Sequence, residues 1–260
     1  MLTITSLGKK AQQLLAQSQA ASVWGSTSQG LFLHLPPQAL LFLSLESYRG
    51  PLTANLAGDI HLLQKIEYGD TLLLRAGELF FPRSGVSLDW QNAQAWELPP
   101  LPDQAVPREQ VFERYKEIYR RVTALRSPSF FPFGLTWDNL LPTLFPLLGQ
   151  GPGLTPSGDD VILGCLLALS RWGHILSPNL DLQALQQPLI SQAYRQTTLL
   201  SANLIECAAS GQADERLLLA LDGIITGQPS TEQCAALLLG WGNSSGCEAL
   251  VGMGIAINLA

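Results

Sequence analysis

Charge is scarce in this sequence: Asp, Glu, Lys and Arg together make up 14% of 260 residues, against roughly 25% in an ordinary soluble domain. A chain so poor in charge, and 47% hydrophobic, must bury a large core, hide surface in an oligomer, or do both. The charge that is present sums to −6, with a pI near 5.0. That balance excludes non-specific nucleic-acid binding, which requires a basic surface. The mild basic cluster Arg114–Arg121 alternates with acids and aromatics at helical spacing, as a solvated amphipathic face does.

Long hydrophobic runs are missing as well. Val161–Leu169 is far shorter than the ~20 residues that cross a bilayer. The N-terminus lacks the charged-then-apolar order of a signal peptide. The expectation is a soluble cytoplasmic protein with no membrane partner. Cysteine is limited to Cys165, Cys207, Cys234 and Cys247, with no C-x-x-C pair and no histidine at ligand spacing, which argues against a zinc site or a disulfide framework. His34, His61 and His174 are scattered and read as packed or surface residues.

The chain changes character near residue 100. After a short helix over 9–19, strand signals recur at 31–35, 39–45, 49–56, 71–75, 78–81 and 95–98, with Gly, Pro and Asp at the joints. Pro99, Pro100, Pro102 and Pro107 make a stiff linker. Beyond it the pattern is helical: 108–127, 139–148, 158–172, 180–209 with a break at Pro188, 213–226, 231–239 and 246 to the end. The expected fold is α+β. A small β-rich barrel or sandwich over 1–98 precedes a linker over 99–107. An all-helical domain with a buried central helix pair follows over 108–260.

The densest signal lies where the helical part turns apolar. Gly151-Pro-Gly-Leu-Thr-Pro-Ser-Gly-Asp-Asp160 places two prolines, two hydroxyls and two adjacent carboxylates at the mouth of a greasy helix. The pattern echoes 88 residues later (245 − 157) as Asn243-Ser-Ser-Gly-Cys-Glu248, and both copies continue Gly-x-x-x-Ala, at Gly164 and Gly252. Two structural readings stand beside a functional one. Ser157–Asp160 and Ser245–Glu248 are capping-box patterns, and small residues four apart suit two helices that cross closely. Capping does not account for Gly151, Pro152, Gly153, Thr155 and Pro156. Prolines that stiffen and glycines that allow positive φ hold backbone N–H groups in a concave array suited to an anion. The loop has no Walker A lysine, and the residues before Gly149 read as helix, unlike a Rossmann turn.

Asp159 and Asp160 would repel a bare phosphate unless a metal or arginine intervened. Alternatively they face an amide N–H₂ while the N–H array holds an anionic end. The candidate catalytic residues are therefore Asp159, Asp160 and Ser157. The candidate substrate contacts are Gly151, Gly153, Thr155, Gly158, Arg195, Asn203, Asn243, Ser244, Ser245, Gly246 and Glu248. The metal and cofactor are unknown, with Mg²⁺ the candidate. The partners expected are a small anionic metabolite and either a protein partner subunit or a second copy of the chain. The aromatic loop Phe131–Asp138 is read as a hydrophobic plug or a pocket lining.

The 151–160 loop with Gly164, together with Gly50-Pro-Leu52 and Ser244-Ser-Gly246, resembles the signature of a bacterial family long labelled as of unknown function. That family includes a subunit of the oxamate carbamoyltransferase of anaerobic allantoin breakdown, and some members carry a carboxylase label. The resemblance implies nitrogen metabolism and transfer of a carbamoyl group between carbamoyl phosphate and a 2-oxo acid amide such as oxamate. It equally admits a non-catalytic subunit, or a small-anion sensor that docks a partner.

Overall fold

A computed structural model describes residues 2–75, 77–130 and 135–259. The chain divides into two compact units, Met1–Pro99 and Pro100–Ala260.

The first unit is a closed barrel with one extra strand. Its strands are β1 (Leu2–Gly8), β2 (Ala20–Thr27), β3 (Gly30–Leu35), β4 (Ala39–Ser44), β5 (Thr53–Gly58), β6 (Thr71–Arg75), β7 (Glu78–Phe81), β8 (Val86–Asp89) and β9 (Gln94–Trp96). The order β5-β4-β3-β2-β6-β7-β8-β1 closes through an antiparallel β1–β5 pair. Closure pairs each of the eight barrel strands on both sides, as a barrel must to remove its edges. β8 and β9 follow one another along β1, at Leu2–Thr3 and Ser6–Gly8. Alternation fills the interior with Leu31, Leu33 and Leu35 from β3, Leu41 and Leu43 from β4, and Leu79 and Phe81 from β7. Helix α1 (Lys9–Gln17) buries Ala11 and Leu15. The Gly50–Leu52 turn braces it: the Ala11 amide donates to Pro51 O at 2.8 Å, and the Phe42 amide to Leu52 O at 2.9 Å.

The α+β expectation holds, with differences inside it. The strands Leu2–Gly8, Ala20–Thr27 and Val86–Asp89 were not expected, and β5 starts at Thr53 rather than at 49. The 180–209 span does not break at Pro188, which sits inside a helix.

The second unit is helical among its described residues: α2 (Arg108–Thr123), α3 (Trp137–Leu144), α4 (Ser157–Leu176), α5 (Leu182–Gln196), α6 (Leu199–Ala209), α7 (Glu215–Thr226), α8 (Thr231–Leu239) and α9 (Ser245–Leu259). At its centre α4 packs on α9, and both are buried along nearly their whole length. A Cβ placed on Gly164 would lie 2.0 Å from Ala249 O, and one on Gly252 would lie 2.0 Å from Val161 O. The two contacts exchange under the 88-residue offset (252 − 164 and 249 − 161). The sequence echo is therefore a self-reciprocal crossing of two helices through their glycines. A buried pair, Arg171 Nε and Nη2 on Asp222 at 2.7 Å each, ties α4 to α7, with Trp172 Nε1 donating to Asp222 at 2.8 Å.

No helix among the described residues is long and apolar enough to cross a membrane.

Candidate functional site

The 151–160 loop and the start of α9 come together at the head of the α4/α9 pair. Thr155 Oγ1 and Ser245 Oγ are 3.1 Å apart. Gly149, Gly151 and Gly153 all take positive φ (+72°, +112° and +98°). Gly151 has a second constraint, since a Cβ there would meet the Ser157 amide at 2.8 Å.

The capping-box reading fails at both helices. The N-cap of α4 is Pro156, with no side-chain cap bond; its carbonyl accepts from the Asp159 and Asp160 amides at 2.9 and 3.2 Å. At α9 the Ser244 carbonyl accepts from Cys247 and Glu248, and the Glu248 carboxylate turns away to accept from the Ser129 amide at 2.6 Å. The acids of both copies are therefore free of helix-capping duty, although the positive end of the helix dipole still favours them there.

Three carboxyls are sunk beneath this loop: Asp159 and Asp160 are 1% exposed and Glu248 is 0% exposed. They do different work. Asp159 Oδ1 accepts from the Gly149 amide at 2.8 Å, and Oδ2 accepts from the Thr197 hydroxyl. Burial raises its pKa, and the Gly149, Thr197 and Ser201 contacts oppose that rise. With both oxygens engaged, Asp159 shapes the loop.

Asp160 differs. Burial, with the Asp159 and Glu248 charges adding to it, pushes its pKa up to about 8 against the pull of the Ser245 and Thr155 hydroxyls. Its Oδ2, like Glu248 Oε2, is buried without a hydrogen-bond partner among the described residues. Such orphans cost on the order of 1–3 kcal/mol each, and a native fold that keeps both calls for an explanation.

The donors are nearby. Among the described residues, no acceptor pairs with the amides of Gly151, Gly153, Leu154, Thr155 or Ser157, whereas the Gly158 amide is spent on Gln150 O at 2.9 Å. Ser157 is buried under Gly151. Gly158 is a packing residue, since a Cβ there would lie 2.0 Å from Leu147 O. Gly246 is another, at 1.8 Å from Leu238 O.

The remaining candidates spread out. Asn243 is exposed and its carbonyl accepts from Arg126 Nε at 3.0 Å, while Ser244 is half-buried. Asn203 is buried on α6 and donates to the Tyr194 hydroxyl at 2.9 Å, which in turn donates to Glu206 at 2.6 Å. Arg195 is exposed on the last turn of α5, and no bond among the described residues ties it to the loop. Phe131–Gly134 of the aromatic loop lie outside the described residues.

Sequence reasoning missed Thr197, Thr198, Ser129 and Gly149. Thr198 caps α6 by accepting from the Ser201 amide at 3.1 Å, and donates to Leu154 O in mid-loop at 2.6 Å. Thr-Thr-x-x-Ser was the available signal, a cap pattern inside the stretch after Pro188 that was read as helix to residue 209. Beside the loop runs an open groove of about 850 Å³, lined by Phe145, Pro146, Leu148 and Gly149 with three glutamines, Gln150, Gln192 and Gln196. Because Thr198 grips both α6 and the loop, Thr198→Ala should cost roughly 1–2 kcal/mol. It should also raise hydrogen exchange at Leu154 and Thr155; exchange unchanged there would show that the loop holds itself.

A metal centre does not emerge from the donor set. Among the described residues no group of three or more His, Cys, Asp or Glu side chains is placed to hold an ion, and both Asp159 oxygens are already taken.

Residues 147–257, which contain the loop, the α4/α9 pair and Thr197–Ser201, match the family model described as oxamate carbamoyltransferase subunit AllH. The resemblance first carried by the ten-residue loop thus extends through most of the helical unit. No solved structure matches the chain.

Proposed function

We propose that this chain is a carbamoyltransferase-related subunit whose loop, Gly151–Asp160, grips a small ligand with an anionic end and a carbamoyl or amide end. The family match supports the carbamoyl context. The observation that carries the site is the pairing of unlike halves. Among the described residues, the amides of Gly151, Gly153, Leu154, Thr155 and Ser157 and the buried carboxyl oxygens Asp160 Oδ2 and Glu248 Oε2 all lack a protein partner. Amides at a helix N-terminus hold a carboxylate or phosphate; carboxyl oxygens hold an N–H₂.

Carbamoyl phosphate and oxamate each present both ends. In carbamoyl transfer the loop amides and Ser157 would hold the phosphate or the oxyanion that develops at the carbonyl carbon. Since Asp159 is occupied by the scaffold, orienting the amide falls to Asp160, with Glu248 opposite. Mg²⁺ would have to be brought by the phosphate ligand.

A second reading, a non-catalytic subunit that binds ligand and docks a partner, is favoured by the family description as a subunit and by the low charge content. A thermal-shift series with carbamoyl phosphate, oxamate, oxalurate and nucleotides, with and without magnesium, tests the site. A ligand at about one hundred times its Kd adds ~2.7 kcal/mol of stability, so the carbamoyl compounds should raise the melting temperature and nucleotides should not. Equal shifts from all anions, or none, would refute the proposal. Turnover that appears only when a partner subunit is added selects the second reading.

A further inference from the structure

We propose that the barrel binds one buried water as a fixed part of its fold, at a site between Ser6 and Asn55 where β1 closes on β5. The site lies in the first unit and is independent of the loop reading.

The strand register builds it. β1 turns Leu2 and Ile4 inward, and unbroken alternation would send Ser6 into the leucine interior and Leu7 out. The register slip after Ile4 makes Thr5 an extra residue, so Leu7 returns to the core beside Ala54, its partner on β5. Ser6 and Asn55 thereby become cross-strand partners on the outer face. Partners of that kind have Cβ atoms about 4.5–5.5 Å apart. Ser44 on β4 pairs with Asn55 from the other side. All three are buried, at 7%, 6% and 1% exposed for Ser6, Asn55 and Ser44.

The hydrogen bonds determine which atoms are left over. The Asn55 side-chain amide donates to Glu46 O and Tyr48 O at 2.8 Å each, which uses both of its N–H groups. A flipped amide would set its oxygen against those two carbonyls, so the orientation is fixed. Ser44 is engaged too, since its Oγ accepts from the Glu46 amide at 3.0 Å. Asn55 Oδ1 and Ser6 Oγ remain, both buried and both without a protein partner among the described residues.

Two unmet groups on adjacent, paired residues mark the place of a molecule that bonds both. Oδ1 can only accept, so the occupant must donate, which excludes an anion. A metal ion would need several more oxygens than these two neutral groups supply. Water fits. It donates to Oδ1 and accepts the Ser6 O–H, and two bonds of about 2.8 Å span a gap that the side chains do not close directly. The consequence is mechanical. Asn55 holds the segment that runs into Gly50-Pro51-Leu52, the turn that braces α1 and β4. The water anchors the other end of the same amide.

A crystal structure of the full chain and urea denaturation of Ser6→Ala test the site. The structure should show a water within about 3.2 Å of both Ser6 Oγ and Asn55 Oδ1. Ser6→Ala, which removes one of the two anchors, should lower the folded-to-unfolded ratio by about fivefold. A hydroxyl that bonds nothing predicts the opposite, because removing a buried orphan leaves stability equal or improved. Stability unchanged or raised in Ser6→Ala, no water density between the two groups, or a direct Ser6–Asn55 bond would each overturn the proposal.

Discussion

Adding one methyl group at Gly164 should destabilise the helical unit by roughly 3 kcal/mol or more, although alanine is the better helix former by up to ~1 kcal/mol. The added Cβ would sit 2.0 Å from Ala249 O, 2.7 Å from its carbonyl carbon and 2.8 Å from its Cα. All three are backbone atoms, so no rotamer change relieves the clash and α4 must move off α9. Forced separation of well-packed elements costs about 1–3 kcal/mol or more, and these helices are the most deeply buried in the unit. Gly252→Ala should behave alike, since its Cβ would meet Val161 O and the Cys165 amide at 2.0 and 2.7 Å. Because both contacts belong to one crossing, the double variant should cost less than the two losses added, by about 1 kcal/mol. Gly173→Ala is the control. It lies on the same helix with nothing within 4 Å of the new atom, so it should stabilise by about 0.5–1 kcal/mol. Urea denaturation decides the matter: a Gly164→Ala midpoint at or above wild type would mean the helices are not locked through their glycines.

That crossing shows what was legible in the chain. Gly-x-x-x-Ala at a fixed offset was visible as a repeat, and close helix approach was one of its two structural readings; the mutual Gly164–Ala249 and Gly252–Val161 contacts select it. The other reading, a capping box, has the same local spelling and loses because Pro156 and Ser244 carbonyls take the first-turn amides. The β-rich unit was legible as a class and incomplete in detail. Ala20–Thr27 is small and polar, with a diluted alternation. Leu2–Gly8 alternates only until its register slips between Ile4 and Ser6, and it runs straight into α1. In the helical unit, Pro188 looked like the breaker, yet α5 continues through it. The real break is at Thr197–Thr198, where hydroxyls offer the backbone and Asp159 better partners than another helical turn.

The site divides along the same line. Loop chemistry is local, so the glycines, the hydroxyls and the acids could be picked out from composition. Which acid meets solvent, scaffold or ligand is set by residues distant in sequence. Gly149 and Thr197 claim Asp159, Ser129 claims one oxygen of Glu248, and among the described residues nothing claims Oδ2 of Asp160. Arg195 and Asn203, eight apart, share a helical face only if the stretch from Pro188 to 209 is one helix; with the break at Thr197–Thr198 between them they part, one exposed and one buried.

Stability should fall as pH rises from about 4 to about 8, and Asp160→Asn should abolish most of that slope. In the unfolded chain Asp160 ionises near 3.8, whereas in the fold it holds its proton to about 8. Below both values the carboxyl is protonated in either state and contributes no pH dependence. Between them the unfolded state binds fewer protons than the native one, so unfolding becomes easier by up to ~1.4 kcal/mol per pH unit. Above about 8 both states are ionised and the loss levels off. Asp159, raised in the same direction by burial, adds to the slope, so the variant should keep a shallow residue of it. At alkaline pH Asp160→Asn should therefore be more stable than wild type by several kcal/mol, on the order of the integrated shift. At about pH 4 the two proteins should be close. This reverses the ordinary case of a salt-bridged aspartate, whose loss is felt most at high pH. Urea titrations of both proteins across that range read it directly. Parallel curves would mean that Asp160 finds a cation or solvent in solution and is not buried as the fold places it.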